Sequence, residues 1–396
     1  MSDFQFFLPT RILFGVGCLE ELATTPHLPK GGKAMIVMTS GGSMLRHGHL
    51  ARVQGCLSNQ GVRSVIYDKI TPNPESAQID EAAATARRLE VDFVVGLGGG
   101  SAIDAAKAIA LTAANGGSIW DYLRGGTGGG KTPEQAPLPV VAIPSTAGTG
   151  SEADHLFVVS KSGGDEKIGI GLEGTFPHLA VVDPALTRSM PPRATAFTGL
   201  DAFFHAAESY LSLRRNPIGN MLALEAVHLV THTLPDAVNE PGDQAARTVL
   251  AWAACAGGIC LTTCGSTAQH ALEHALSGRN PALPHGLGLA CLSRAYFRHM
   301  AAVVPDRITD LALAMGVEEV EDLPEADRPA AFLAALDELL GRVGVGHDRL
   351  RDWGFGPDDA EALADIALAT GARHFEATPG PMTRDDVVAI LREALA

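Results

Sequence analysis

Positive charge is scarce in this chain. Only 30 Lys and Arg stand against 45 Asp and Glu, a formal net charge of −15. No basic surplus exists to neutralise a phosphate backbone, so a nucleic-acid partner is not expected. A small anionic substrate stays open, because it needs only a local cluster of donors. The opening segment, MSDFQFFLPTRILFG, lacks a basic start followed by a long apolar run and a small-residue cleavage site. No secretory signal is read there. Nor is any stretch read as reaching the ~18 uncharged apolar residues that a bilayer span needs. Cysteine is sparse as well, with Cys18, Cys56, Cys255, Cys260, Cys264 and Cys291. Three of these fall in the apolar run AWAACAGGICLTTC and read as small buried residues, not as a disulfide framework or zinc knuckle. A cytoplasmic protein with no membrane partner is expected.

What the chain does have is a globular composition. It is 396 residues long, 46% hydrophobic and 19% charged, enough for two or three well-filled domains. The first half alternates short apolar runs with amphipathic ones. Lys33–Thr39, Val62–Asp68, Val91–Gly96, Leu138–Pro144 and Leu179–Asp183 read as strands, with helix-like segments such as Ile79–Leu89 between them. That alternation predicts a parallel sheet covered on both faces. From Pro191 onward the periodicity is helical, as in Ala194–Leu213, Pro217–Val238, Ala245–Cys264 and Pro329–Val343. The expectation is an α/β dinucleotide-binding domain over residues 1–190 and an all-helical domain over 191–396, with a ligand cleft between them. The glycine-rich Gly125–Lys131 follows no strand and opens no helix, so it reads as a flexible surface loop.

Three motifs carry chemistry. Gly96-Leu97-Gly98-Gly99-Gly100-Ser101, followed by a helix-like run through Asp104, leaves the apolar strand VDFVV. Such a turn lets backbone approach a pyrophosphate and aims free N–H groups at it, with Ser101 available as a helix cap. The second loop, Pro144 to Glu152, crowds Ser145, Thr146 and Thr149 beside two glycines at another strand end. Two such loops favour a bound dinucleotide over two ordinary turns. The third motif gathers metal-type ligands: Asp201 and His205 four apart, His270 and His274 at the same spacing, and His285 in a Pro/Gly loop. A lone histidine on an apolar helix face is more often a satisfied core residue. Four histidines and an aspartate in apolar helices are costly to bury without partners, and a divalent cation would satisfy them together.

In this order and combination the motifs resemble those of the iron-containing (group III) alcohol dehydrogenases, from the N-terminal strand region through at least His285. The resemblance implies a dehydroquinate-synthase-like fold, with an α/β domain and a helical metal domain. It also implies a hydride-transfer enzyme for small alcohols or aldehydes, some branches of which take sulfonated or phosphonated aldehydes. Carried over, it makes Asp201, His205, His270 and His285 ligands of Fe2+, with Zn2+ as the alternative ion. His274 would then sit beside the nicotinamide as the catalytic group. Gly98, Gly99, Gly100, Ser101 and Asp104 would hold the pyrophosphate end; Ser145, Thr146 and Thr149 would surround the nicotinamide ribose, with Lys167 near a ribose. Two departures stand out: a longer His274–His285 segment, and Ala153-Asp154-His155 after Glu152, which makes His155 a candidate for the substrate pocket. Arg279 and Asn280 are further candidates for holding an anion.

The loop Ser40-Gly41-Gly42-Ser43 should face the adenosine. It holds no carboxylate to repel a ribose phosphate, and Arg46 and His47 follow it, so NADP(H) is admitted beside NAD(H). Two other readings keep the scaffold: a zinc-dependent polyol dehydrogenase or cyclase, and a non-catalytic nucleotide- or metal-binding protein. The cyclase would need more Lys and Arg around Asp201 and His270 than the chain supplies. A homo-oligomer, dimer or larger, is compatible with the apolar helical half.

Overall fold

The computed structural model describes residues 3–396. Eight strands occur among them. They are β1 (Arg11–Phe14), β2 (Lys33–Thr39), β3 (Arg63–Ile70), β4 (Phe93–Gly98), β5 (Val140–Pro144), β6 (Leu156–Ser160), β7 (Lys167–Gly171) and β8 (Leu179–Val182). Six form one parallel sheet in the order β1-β8-β5-β4-β2-β3, and β6 pairs antiparallel with β7 as a separate hairpin. The five strands read from the sequence are all present, with ends shifted by up to two residues. β1, β6 and β7 are additions. β1 is only four residues long, and β7 carries Gly169 and Gly171 within KIGIG, which does not read as strand.

Side-chain alternation explains why the sheet strands are apolar throughout. On β2, Met35 and Val37 enter one core, while Ala34, Ile36 and Met38 enter the other. The first core lies beneath helices Ser76–Arg88 and Gly100–Asn115 and the β6–β7 hairpin; the second lies beneath helix His49–Asn59. Both faces are thus removed from water, as parallel sheets require. The strand order reverses between β2 and β4, a switch point at whose carboxyl edge open α/β sheets bind ligands. The Gly98–Ser101 turn leaves β4 at that edge.

Beyond Pro192 the chain is helical, and five helices matter to the site. These are Pro192–Leu211, Pro217–Asn239, Gln244–Thr263, Ala268–Arg279 and His285–Val303. Pro191 and Pro192 start the first of them as N-cap and first-turn residues, where a missing N–H costs nothing. Gln244–Thr263 is long and apolar enough to cross a membrane, against the sequence expectation, but 72% of its apolar window is buried inside the protein. It is a core helix. All six cysteines are free thiols and five are buried, Cys291 being half-buried, which bears out their reading as small apolar fillers.

The two halves meet at the Pro144–Glu152 loop. Gly150 has φ +64°, and a Cβ there would strike the backbone of Gly258 in helix Gln244–Thr263. Backbone therefore lies on backbone, an approach only glycine permits. This seam fixes the second nucleotide-type loop against the helices that carry the histidines.

Candidate active site

Helix Pro192–Leu211 presents Asp201 and His205 one turn apart, and helix Ala268–Arg279 presents His270 and His274 in the same way. His285 opens helix His285–Val303 just after Pro284. Tertiary packing brings four of these together, for Asp201, His205, His270 and His285 each place one ligand atom within 4.8 Å of the others. The three Nε2 atoms lie 3.6, 3.7 and 3.5 Å from a single Asp201 oxygen, Oδ1. A tetrahedron with bonds of about 2.1 Å has edges of about 3.4 Å, so this spacing suits one small cation at the centre.

Hydrogen bonding points the same way. Asp201 Oδ1 and His270 Nε2 are buried and have no hydrogen-bond partner among the described residues, an expensive state in a protein interior. Two of the three opposite ring nitrogens are well held, while His205 Nδ1 has no partner among the described residues. His270 Nδ1 bonds Glu208 Oε1 at 2.5 Å, and His285 Nδ1 bonds Glu273 Oε2. Glu208 is itself fixed by the backbone N–H and hydroxyl of Thr267, both at 2.8 Å. Carboxylates behind imidazoles fix tautomer and ring orientation, leaving Nε2 lone pairs aimed inward. Glu273, His274 and His285 also cluster, but the Glu273 Oε2 is already committed to His285 Nδ1.

The electrostatics suit a cation. Burial opposes ionisation of Asp201, yet His205, His285 and His270 hold its carboxyl below the ordinary range. Burial pushes His205 down to about 4, so it stays neutral. At His270 burial works downward, but the Glu208 and Asp201 carboxylates together override it and raise the ring to about 10, so the site favours a positive charge at Nε2 that a bound cation would supply in place of a proton. His274 is pushed well below its usual value by burial and then by Lys167, which keeps it uncharged. Its ring centre lies 5.6 Å from His285 and 5.8 Å from His374.

A cavity of about 130 Å³ joins this cluster to the nucleotide-type loops. Gly100, Ser101, Asp104, Thr149 and Lys167 line it together with the four clustered residues and His274. Gly98, Gly99, Ser145 and Thr146 are not among its lining residues. The Ser145 N–H donates to Gly98 O at 2.8 Å, and the Thr146 side chain packs where a Cβ on Gly99 would be. Ser40, Gly41, Gly42 and Ser43 follow the end of β2 and do not line the cavity; Arg46 donates to Gly41 O at 2.7 Å. A larger apolar groove of about 890 Å³, between Tyr210, Met221 and Trp252, gathers no comparable set of ligands.

Several side chains behave differently from expectation. Ser101 does not cap its helix: Gly99 is the N-cap, Gly100 begins the helix, and Ser101 is one residue further in. Asp104 accepts from Ser151 Oγ at 2.6 Å and from Val158 N at 3.0 Å, tying the Gly-turn helix to the hairpin. Lys167 Nζ donates to Ser277 Oγ at 2.8 Å and lies 3.6 Å from Glu273, so it points to the histidine-bearing helix. Arg279 pairs with Asp359, and Asn280 donates to Trp353 O, so both are occupied away from the cavity. His155 packs against Phe176, ring centres 4.8 Å apart, and lines a second cavity that adjoins this one.

Glu208 and Glu273 went unnoticed in the sequence, although a signal was there. Each lies three residues after a ligand histidine, on the same helix face. Arg373 and His374, which also line the cavity, come from a six-residue helix, Ala372–Ala377, too short for any periodicity.

A profile of the iron-containing alcohol dehydrogenases matches residues 9–184, and one of the C-terminal region of the same family matches residues 195–395. Alcohol dehydrogenase 4 of Saccharomyces cerevisiae is 34% identical over 392 residues, 98% of either chain. An alcohol dehydrogenase from an archaeal halo-thermophile of a Red Sea brine pool superposes with a TM-score of 0.93 at 31% identity, covering 100% of both chains. The sulfoacetaldehyde reductase of Bifidobacterium kashiwanohense, solved in complex with NAD+, gives 0.85 at 29% identity, covering 100% of this chain and 99% of that one.

Proposed function

The chain belongs to the iron-containing alcohol dehydrogenase family, and on that premise we propose that it moves a hydride between NAD(H) and a short aldehyde or primary alcohol, with a divalent cation held by Asp201, His205, His270 and His285. The observation that carries this reading is the convergence of three Nε2 atoms on one otherwise unpartnered carboxylate oxygen, beside a Gly-rich turn at the switch point of the sheet.

Fe2+ is the ion we assign, on the family's description; Zn2+ would accept the same donors. Such a cation supplies Lewis-acid polarisation of a carbonyl oxygen, and the nicotinamide supplies the hydride. The chain's own residues do the rest. The free N–H groups at the start of helix Gly100–Asn115 suit the pyrophosphate, and Thr149 packs against Gly100 beside them. Ser40 to Ser43 suit the adenosine end, where the missing carboxylate admits NADP(H) as well. Reduction adds a hydride to carbon and a proton to oxygen, giving alcohol and NAD+. His274 is buried, neutral, and without a side-chain hydrogen-bond partner among the described residues, so its ring can relay a proton from solvent to that oxygen, taking it up at one nitrogen as the other gives one up, directly or through one water. Burial, and after it Lys167, keeps His274 neutral, and Lys167 also holds Glu273, which in turn holds His285.

NADH oxidation followed at its nicotinamide absorbance, with short aldehydes and added Fe2+, tests the proposal. Turnover should vanish on chelation and return with metal. Turnover that survives complete removal of metal would refute it.

A further inference from the structure

Next to the cavity just described lies another of about 230 Å³, and the two share Leu156, Leu261, Ser266, Arg373 and His374 as lining residues. The character of this second cavity is unusual for so acidic a protein. Its charged lining is Arg214 and Arg373, and no Asp or Glu contributes. The hydroxyls of Thr262, Thr263 and Ser266 add neutral hydrogen-bonding groups. Nothing from the Gly98–Ser101 turn or the Pro144–Glu152 loop lines it, so it lies apart from the residues suited to cofactor phosphates.

Arg373 is the central feature. Its guanidinium forms no ion pair among the described residues; its hydrogen bond runs from Nε to His374 Nε2, at 3.3 Å. The nearby acid, Asp154, is taken by Lys107 at 2.9 Å. Burial pushes the Arg373 guanidinium down to about 10, which still leaves it charged at neutral pH. Gly169 of β7 makes room for it, since a Cβ there would meet Arg373 Nη2. Arg214 is more exposed and pairs with Glu376 at 3.3 Å on its outer side. A half-buried guanidinium without a carboxylate is costly unless an anion arrives to meet it.

We propose that this cavity is the distal half of the substrate site, and that the enzyme's preferred substrates are short aldehydes ending in an oxyanion such as a carboxylate or sulfonate. The proposal rests on the dehydrogenase reading above. The carbonyl end faces the Asp201 cluster and His274, while the anionic end meets Arg373, with Arg214 behind it. His374 lies between the two ends, with its Nδ1 on Ser266 Oγ at 3.0 Å and its ring centre 5.8 Å from that of His274. Its position orients Arg373. An uncharged aldehyde would leave Arg373 unpaired at the moment of binding, and that difference is the source of selectivity.

The test compares kcat/KM for succinic semialdehyde, its sulfonate counterpart and its uncharged amide. At least one anionic substrate should be preferred over the amide by on the order of 10- to 100-fold. Arg373→Gln should reduce that ratio to about 3-fold or less, and Arg373→Lys should restore part of it. A wild-type enzyme that reduces the amide as readily as both anions would overturn the proposal while leaving the dehydrogenase reading intact. So would a ratio that Arg373→Gln leaves unchanged. Should no aldehyde be reduced at all, the dehydrogenase reading fails, and calorimetric titration with succinate decides the cavity separately. Binding that Arg373→Gln abolishes keeps the anion site; no binding to the wild type removes it.

Discussion

Two buried polar clusters face each other across the seam between the halves of this protein, and they differ in one respect. Around Lys107 every group is answered. Its ammonium donates to Ser151 Oγ, Asp154 Oδ1 and Leu156 O at 2.9, 2.9 and 2.7 Å, and Ser151 in turn donates to Asp104. Around Asp201 the inward atoms are left over: Oδ1 and His270 Nε2 have no partner among the described residues, while the outward nitrogens of His270 and His285 are firmly held by carboxylates. A complete cluster serves the fold. An incomplete one whose open atoms converge is built for something that is not protein.

Lys107 offers the sharpest way to break this comparison. Lys107→Met would strand Asp154 as an unpaired buried charge and should lower unfolding stability by about 3–5 kcal/mol, read by urea denaturation. The added stability conferred by bound metal should persist in that variant. Loss of metal binding with no loss of stability would invert the two roles.

Glu208 sharpens the other side. Glu208→Gln keeps the shape but weakens the support of His270, and metal affinity should fall by about 10- to 100-fold, measured by competition with a chelator. Unchanged affinity would reduce Glu208 to a fold residue.

The smallest effect concerns pH. Burial raises Glu152, next to Ser151, from an ordinary 4.5 to about 7. The folded chain then holds that proton more tightly than the unfolded chain does. Its stabilising contribution is complete below pH 4.5 and is lost as pH rises through about 7. Between pH 5 and 7 the wild type should lose about 1–2 kcal/mol relative to Glu152→Gln. A flat difference between the two would place an ionised Glu152 in the folded protein.

These clusters also show what was legible beforehand. The i, i+4 pairs Asp201/His205 and His270/His274 and the strand–Gly-turn–helix at Gly98 stand out because helical and strand periods place them. Glu208 and Glu273 carry a weaker signal, each three residues after a ligand histidine, and because the rings they hold, His270 and His285, lie on other helices, their role shows only in the packed structure. The hairpin was hidden by Gly169, whose reason is the Arg373 side chain arriving from more than two hundred residues away. Ser101 looked like a cap because a hydroxyl at a helix start usually is one. Here the helix begins a residue earlier, where Gly100 lets Thr149 pack against the turn. Arg373 carries no local pattern at all, and its meaning comes from the cavity around it.

The central claim is that four side chains share one cation, and metal content measures it most directly. After reconstitution with Fe2+ and desalting, the wild type should carry about one metal per chain and Asp201→Ala less than about a tenth of that. Equal metal content in two well-folded samples would contradict the account.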